Sequence, residues 1–229
     1  MSESFQRAAP GLVAAPDGDH PALERALSVM QTRTLARKER LFAEGDTATS
    51  LFLIRTGTVK LAHTTPAGRS NVLALLGPGE LVGELSLLDG RRRGATATAV
   101  TEAVVLELSE RSFDRWLTDE PDAAGLLLRQ LARRMRRSND VVADLVFSDV
   151  PARVARTLLD LADRFAATDD QGRAVVRHEL TQEELAQLVG AARETVNKTL
   201  ADFAARGWIE LHQRSFTVLS PDRLAQRVS

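Results

Sequence analysis

Between Thr32 and Leu108 short apolar runs alternate with turn residues, and the runs have strand length. They read SLFLIRTG, TVKLAHTT, SNVLALLG and ATATAVTEAVVLEL. Glycines punctuate them at positions 45, 57, 68 and 79, spaced by 12, 11 and 11 residues. That regularity predicts short strands closing into a barrel or roll. On both sides the period becomes helical. Residues 22–30, ALERALSVM, and 110–118, ERSFDRWLT, read as short helices, and Pro121 opens a longer one that runs to about Phe147.

The long helix carries apolar residues at Leu128, Leu131, Met135, Val142 and Leu145, with Ser138 splitting the gap of seven. This is an a/d seam with one polar member. The opposite face is rich in arginine, at 129, 133, 136 and 137. A narrow stripe of this kind suits a dimer seam; a helix lying on its own barrel is the other reading.

Asp149-Val-Pro151 marks a boundary, because aspartate caps a helix and proline is tolerated in its first turn. The following helix, ARVARTLLDLADRF, ends before the turn TDDQG. RAVVRHEL then reads as a strand into Thr181. In TQEELAQLVGAARETVNKTL, Thr181 and Glu184 form a capping box. Leu185 and Leu188 face inward, and Gly190 supplies a turn residue free to take positive φ. Val196, Leu200 and Phe203 make the buried stripe of a second helix, which leaves Arg193, Glu194, Asn197 and Lys198 outside near its start. A plain helical hairpin has the same apolar spacing. The cap, the glycine and the outward charges together favour a helix-turn-helix that reads bases, in which arginine donates to guanine and glutamate accepts from cytosine. Thr181, Gln182, Arg193, Glu194, Thr195, Asn197 and Lys198 are the candidate DNA-contacting residues. GWIELHQRSFTVLS reads as two strands of a wing.

Charge changes this picture little. The chain has 229 residues and a formal net charge of −1, and residues 148–229 hold 11 Lys/Arg against 12 Asp/Glu. Any DNA-binding charge is therefore a local stripe. There is no cysteine, which excludes disulfides, thiol redox sensing and Cys-ligated clusters or zinc. The four histidines, at 20, 63, 178 and 212, lack metal-ligand spacing, so no metal site is expected. The first residues lack the apolar run of a signal peptide, and no stretch is long and apolar enough for a bilayer. A cytoplasmic protein with no membrane partner is expected. No nucleophile–base set or GxxxxGK[ST] loop points to an enzyme.

A second dense motif lies at GPGELVGELSLLDGRRRGAT. Gly83, Glu84, Leu85 and Ser86 begin a helical turn whose amides can face an anion. Arg93-Gly94-Ala95 follows a basic run. An anion-binding turn, a carboxylate and an arginine suit a cyclic nucleotide, with arginine on the phosphate and glutamate on a ribose hydroxyl. A glycine turn beside a solvated basic loop is the simpler reading of the same residues.

Both motifs, in this order around a long helix, resemble the cyclic-AMP receptor protein family of the CRP/FNR superfamily. Nearly all of residues 22–229 take part. The texture is most like the actinobacterial members in FSDVPARVARTLLDLADRF, LTQEELAQLVGAARETVNK and TLADFAARGW. The resemblance implies an α+β chain made of an N-terminal β-roll of the cyclic-nucleotide-binding fold, a long central dimerisation helix and a C-terminal winged helix-turn-helix. The expected division is a disordered tail over 1–20, the roll over 21–120, the dimerisation helix and hinge over 121–148, and the DNA-binding domain over 149–229.

By position, the resemblance implies that Gly83, Glu84 and Leu85 form the phosphate-binding cassette, and that Arg93 pairs with the cyclic phosphate. Arg134 lies near the ligand, and Ser138 and Asn139 contact the adenine amino group, one of them from the partner subunit. Arg193, Glu194 and Lys198 fall at base-reading positions, implying a TGTGA-like half-site. cAMP as allosteric ligand, double-stranded DNA, a second copy of the chain and RNA polymerase are the implied partners. Two positions depart from the pattern. Gly94 stands where the family has Ser or Thr on the phosphate, a hydrogen bond worth about 1.5–3 kcal/mol. Ala192 stands where Ser contacts a DNA phosphate. A same-fold regulator that needs no ligand or another ligand is the alternative, and a regulatory module of an enzyme a more distant one.

Overall fold

The computed structural model describes residues 21–65 and 70–228. The expected tail over 1–20 and the turn at Gly68 lie outside these residues. The chain divides into two compact units between Met135 and Arg136.

The first unit begins with α1 (Pro21–Val29) and continues as β1 (Gln31–Leu35), β2 (Arg40–Phe42), β3 (Ser50–Thr56), β4 (Val59–Thr64), β5 (Ser70–Leu76) and β6 (Leu81–Val82). After the short α2 (Glu84–Leu88) come β7 (Thr96–Ala99), β8 (Ala103–Ser109) and α3 (Glu110–Asp119). The strands form two antiparallel four-stranded sheets, ordered β1-β8-β3-β6 and β2-β7-β4-β5. The unbroken apolar run of β3 has a simple cause: both of its faces are covered. Side chains alternate across a strand. Phe52 and Ile54 join Val105 and Ala103 of β8 in the core between the sheets. Leu51 and Leu53 join Leu106 and Leu108 in a second core beneath the helices, with Leu23 and Phe113. The run ATATAVTEAVVLEL divides at 100–102 into β7 and β8.

The long helix, α4, spans Ala123–Phe147. Pro121 and Asp122 form a turn ahead of it. Leu126 and Leu127 anchor its first turns in the helix-side core. The second unit holds the end of α4 together with α5 (Val150–Phe165), β9 (Ala166–Thr168), β10 (Ala174–Val176), α6 (Gln182–Val189), α7 (Arg193–Ala205), β11 (Ile209–His212), β12 (Ser215–Val218) and α8 (Pro221–Val228). Its sheet is ordered β11-β12-β10-β9. Asp149 caps α5 by accepting from the Ala152 amide at 2.9 Å, with Pro151 in the first turn.

Three features depart from the sequence reading. The strand expected across RAVVRHEL is confined to Ala174–Val176, because His178 turns inward. There its Nδ1 accepts from the Leu180 amide at 3.1 Å and its ring lies against Phe216. β9 directly extends the chain from α5, and α8, with Leu224 as its buried residue, packs on α5. No described helix is long and apolar enough to cross a membrane.

Candidate functional site

The glycine-rich motif builds a compact polar centre in the first unit. Gly83 takes φ 87° at the start of α2. A Cβ there would sit 2.4 Å from an Arg93 guanidinium nitrogen, so glycine is required by both conformation and space. Arg93 is 4% exposed. Its guanidinium donates to the Gly83 carbonyl at 2.6 Å and to the Ser50 carbonyl, and lies 4.3 Å over the Phe42 ring. Its Nε is buried with no partner.

Glu84 is 2% exposed. Oε1 accepts from Arg134 at 2.7 Å, while Oε2 is buried with no partner. Burial pushes this carboxyl above its ordinary value, and Arg134 and then Arg93 oppose the shift with their charges. Burial likewise lowers the Arg93 guanidinium, against the carboxylates of Glu84, Asp46 and Glu107. The centre thus holds an acceptor lacking a donor beside a donor lacking an acceptor.

The other cassette residues have different surroundings. Leu85 is half exposed; Ser86 is buried, with its hydroxyl 3.5 Å from the Arg92 carbonyl. Gly94 is exposed, and a Cβ built on it meets nothing within 4 Å. Ala95 packs against the inter-sheet core.

The sequence reading missed the strap that holds Arg93. The Gly45 amide donates to the Arg93 carbonyl at 2.8 Å and the Arg93 amide to the Asp46 carbonyl at 2.9 Å. Arg92 bonds the Gly45 carbonyl at 2.9 Å, and Arg91 stays at the surface 3.9 Å from Asp89. Phe42, Ser50, Gly45 and Asp46 therefore belong to the site. Ser138 and Asn139 fall in the second unit and are exposed on α4.

Two members of the proposed seam also have neighbours within the chain. Leu131 is partly buried and packs against the helix-side core of the first unit. Leu145 approaches Gly190 within the second unit. Leu128, Ala132, Met135, Asn139, Val142 and Val146 are exposed and repeat at steps of 4, 3, 4, 3 and 4; Ser138 and Leu145 are exposed beside them. Leu128, Met135, Val142 and Val146 are each 60% exposed or more.

In the second unit Thr181 and Glu184 make the expected reciprocal capping box, and Gly190 takes φ 71°. Val196, Leu200 and Phe203 are buried. Thr181, Gln182, Arg193, Glu194, Thr195 and Lys198 are exposed. Asn197 departs from its expected outward place: it is half-buried, with Oδ1 shut away and unpaired. Ala192 offers no side-chain cap, which leaves the first amides of α7 open to an anion.

Comparison with characterised proteins gives this pair of sites a family. A model of the cyclic nucleotide-binding domain matches residues 32–120, and one of the Crp-like helix-turn-helix domain matches residues 152–227. The chain is 46% identical over 211 residues to the CRP-like cAMP-activated global transcriptional regulator of Mycobacterium tuberculosis, covering 92% of this chain and 94% of the relative. The chain belongs to the CRP family of transcriptional regulators.

Solved structures show the same architecture. A CRP-family regulator from Thermus thermophilus is 34% identical, with a TM-score of 0.73 over 86% of this chain and 96% of that one. The c-di-GMP responsive global regulator of Xanthomonas campestris is 28% identical, with a TM-score of 0.72 over 87% and 99%. This CRP-family regulator therefore couples a cyclic-nucleotide-binding β-roll to a DNA-binding winged helix-turn-helix.

Proposed function

We propose that this CRP-family regulator acts as a homodimer that binds cAMP and then grips a near-palindromic, TGTGA-like DNA site, from which it works on RNA polymerase. The observation that carries the ligand reading is the pair of orphaned atoms. Glu84 Oε2 needs a donor and Arg93 Nε needs an acceptor, both in a buried centre. A ribose hydroxyl supplies the first and a cyclic phosphate oxygen the second. Gly83, Leu85 and Ser86 shape the turn around the phosphate, Gly94 and Ala95 border it, and Arg134 holds Glu84 in place. Ser138 and Asn139 are the polar pair assigned to the adenine. The name of the mycobacterial relative, a cAMP-activated regulator, supports the choice of nucleotide.

The exposed heptad stripe of α4 supports the homodimer, since a second copy would cover it. Two recognition helices about 34 Å apart then meet successive major grooves. Thr181 and Gln182 contact the backbone beside α7. Arg193, Glu194 and Lys198 read bases, with Thr195 and Asn197 beside them. Nucleotide shifts the population toward the DNA-competent arrangement.

Titration calorimetry on the wild type and Arg93→Ala tests the ligand site. Tight cAMP binding that weakens at least tenfold in the variant supports the assignment; unchanged heat in the variant overturns it. A second reading, a different nucleotide, is favoured by Gly94, where the hydroxyl is missing and the surroundings are open. The Xanthomonas regulator, named as c-di-GMP responsive, supports weighing that reading. Titrations with cGMP and c-di-GMP separate the cases.

A further inference from the structure

The end of α4 meets the turn of the helix-turn-helix inside the second unit. A methyl group added at Gly190 would lie 2.7 Å from Leu145 Cδ2 and 3.9 Å from its Cγ. The left-handed backbone favours glycine at 190, and the half-exposed Leu145 side chain lies against it. Arg153 of α5 ties the same two segments together. It donates to the Ser148 carbonyl at 2.8 Å, the Val189 carbonyl at 3.3 Å and the Gly190 carbonyl at 3.2 Å. Ser148 is fixed in turn to the last turn of α4. Its amide bonds the Asp144 carbonyl at 3.0 Å, and its hydroxyl bonds Asp144 Oδ1 at 3.2 Å. Asp144 is buried, and its other oxygen pairs with Arg156 of α5 at 3.1 Å. The end of the long helix, the hinge and the turn before α7 thus share one hydrogen-bonded network and one packed side chain.

We propose that Leu145 and Arg153 are positioning residues for DNA reading: they lock the turn at Gly190 to the last turn of α4, so that a displacement of that turn is delivered to the start of α7 at Arg193. A rigid connection is what transmission needs, because coupling travels through packed side chains and hydrogen bonds with defined arrangements. Arg153 adds to it by filling carbonyls at the end of α6 that the helix itself leaves open. The ligand-dependent part rests on the cAMP reading above; the DNA-positioning part does not.

The full-length protein is compared with Leu145→Ala, Leu145→Met and Arg153→Lys, each checked by circular dichroism. DNA affinity is measured by fluorescence anisotropy on a duplex carrying a TGTGA palindrome, with and without saturating cAMP. Dimer dissociation is measured by sedimentation. Leu145→Ala and Arg153→Lys are expected to reduce the cAMP-induced gain in DNA affinity at least tenfold, with dimer dissociation unchanged within about threefold. Leu145→Met, which keeps the volume, restores most of the gain. An unchanged gain in both variants overturns the proposal, as does a loss matched by an equal weakening of the dimer, which would return Leu145 to the seam. If cAMP produces no gain in the wild type, the cAMP reading fails on its own. The positioning role is then read from DNA affinity alone, where tenfold weakening in both variants supports it and unchanged affinity sinks it.

Discussion

Arg134→Ala removes the guanidinium that hydrogen-bonds the buried carboxylate of Glu84. Glu84 is 2% exposed at its side chain and Arg134 30%, so the pair is lopsided: one ion is fully desolvated and the other still touches water. Removing one partner of a fully buried pair costs about 3–5 kcal/mol, because the remaining charge stays desolvated. Solvent around Arg134 screens part of that, which brings the expected loss to about 2–3 kcal/mol at pH 7. Arg93 stays nearby as a second positive charge.

The pH dependence tests the reasoning more sharply than the size. Burial already holds the Glu84 carboxyl above its ordinary value, and Arg134 opposes this. Without Arg134 the carboxyl rises further. A group raised on folding binds its proton more tightly in the folded state, so its contribution is full below the unfolded value and is lost as pH rises through the folded one. The deficit of Arg134→Ala should therefore shrink as pH falls from 7 toward 5. Urea unfolding of the first unit can be followed by Trp116 fluorescence in a Trp208→Phe background, since the chain has two tryptophans. A second substitution, Glu84→Gln, should recover much of the loss at pH 7. A deficit that is constant or grows on acidification, or a double variant no better than the single, refutes the account.

The second unit offers two further tests. Burial holds His178 neutral, lowering it from 6.5 to about 4, and its Nδ1 accepts from the Leu180 amide. Because the folded value is depressed, the stability it supplies is present above 6.5 and is lost as pH falls toward 4, by up to ~3 kcal/mol; His178→Gln should flatten that loss in thermal melts read by Trp208. Asp149→Ala removes the cap on Ala152 and the pairing with Arg227, and should cost about 1 kcal/mol in urea melts at pH 7. The cap and then the Arg227 hydrogen bond hold that carboxyl below its ordinary value, so the difference should fade only in acid.

Where a backbone feature is set by neighbouring residue types, it was legible in the chain. Thr181, Glu184 and Gly190 each carry a local signal, and together they placed both helices of the DNA-reading element. The strands of the roll were legible for the same reason, through turn glycines and apolar runs. The surroundings of Arg93 were not. Its partners are carbonyls of Gly83 and Ser50, 10 and 43 positions away, and any residue type supplies a carbonyl. The width of the exposed stripe on α4 was not legible either, for a geometric reason. A straight helix drifts about 20° per heptad against a 3.5-residue repeat, so the exposed stripe widens to take in 132, 139 and 146 beside Ser138 and Leu145. Leu131 and Leu145 then find partners within the chain. α8 escaped notice because Leu224 is its single buried residue, too little to mark a period.

Charge, which looked like an objection to DNA binding, is resolved by where the ions are paired. Residues 148–229 hold one more acid than base. Four of those twelve acids pair with arginines of the same unit, Asp149 with Arg227, Asp160 with Arg164, Asp169 with Arg173 and Asp202 with Arg206, and each pair removes one charge of either sign. Arg193 and Lys198 enter no ion pair among the described residues and stand exposed at the start of α7, beside the open amides that follow Ala192. The surface can therefore be neutral in sum and positive where it reads. Arg177, Arg214 and Arg223 likewise enter no ion pair among the described residues, so counterion release, which scales with the phosphates neutralised, has cations to draw on. Base contacts of the kind proposed are each worth about 1–3 kcal/mol of discrimination. Contacts of that kind depend on correct placement of α7. A rigid seat for the turn at Gly190 is the kind of part that dependence calls for.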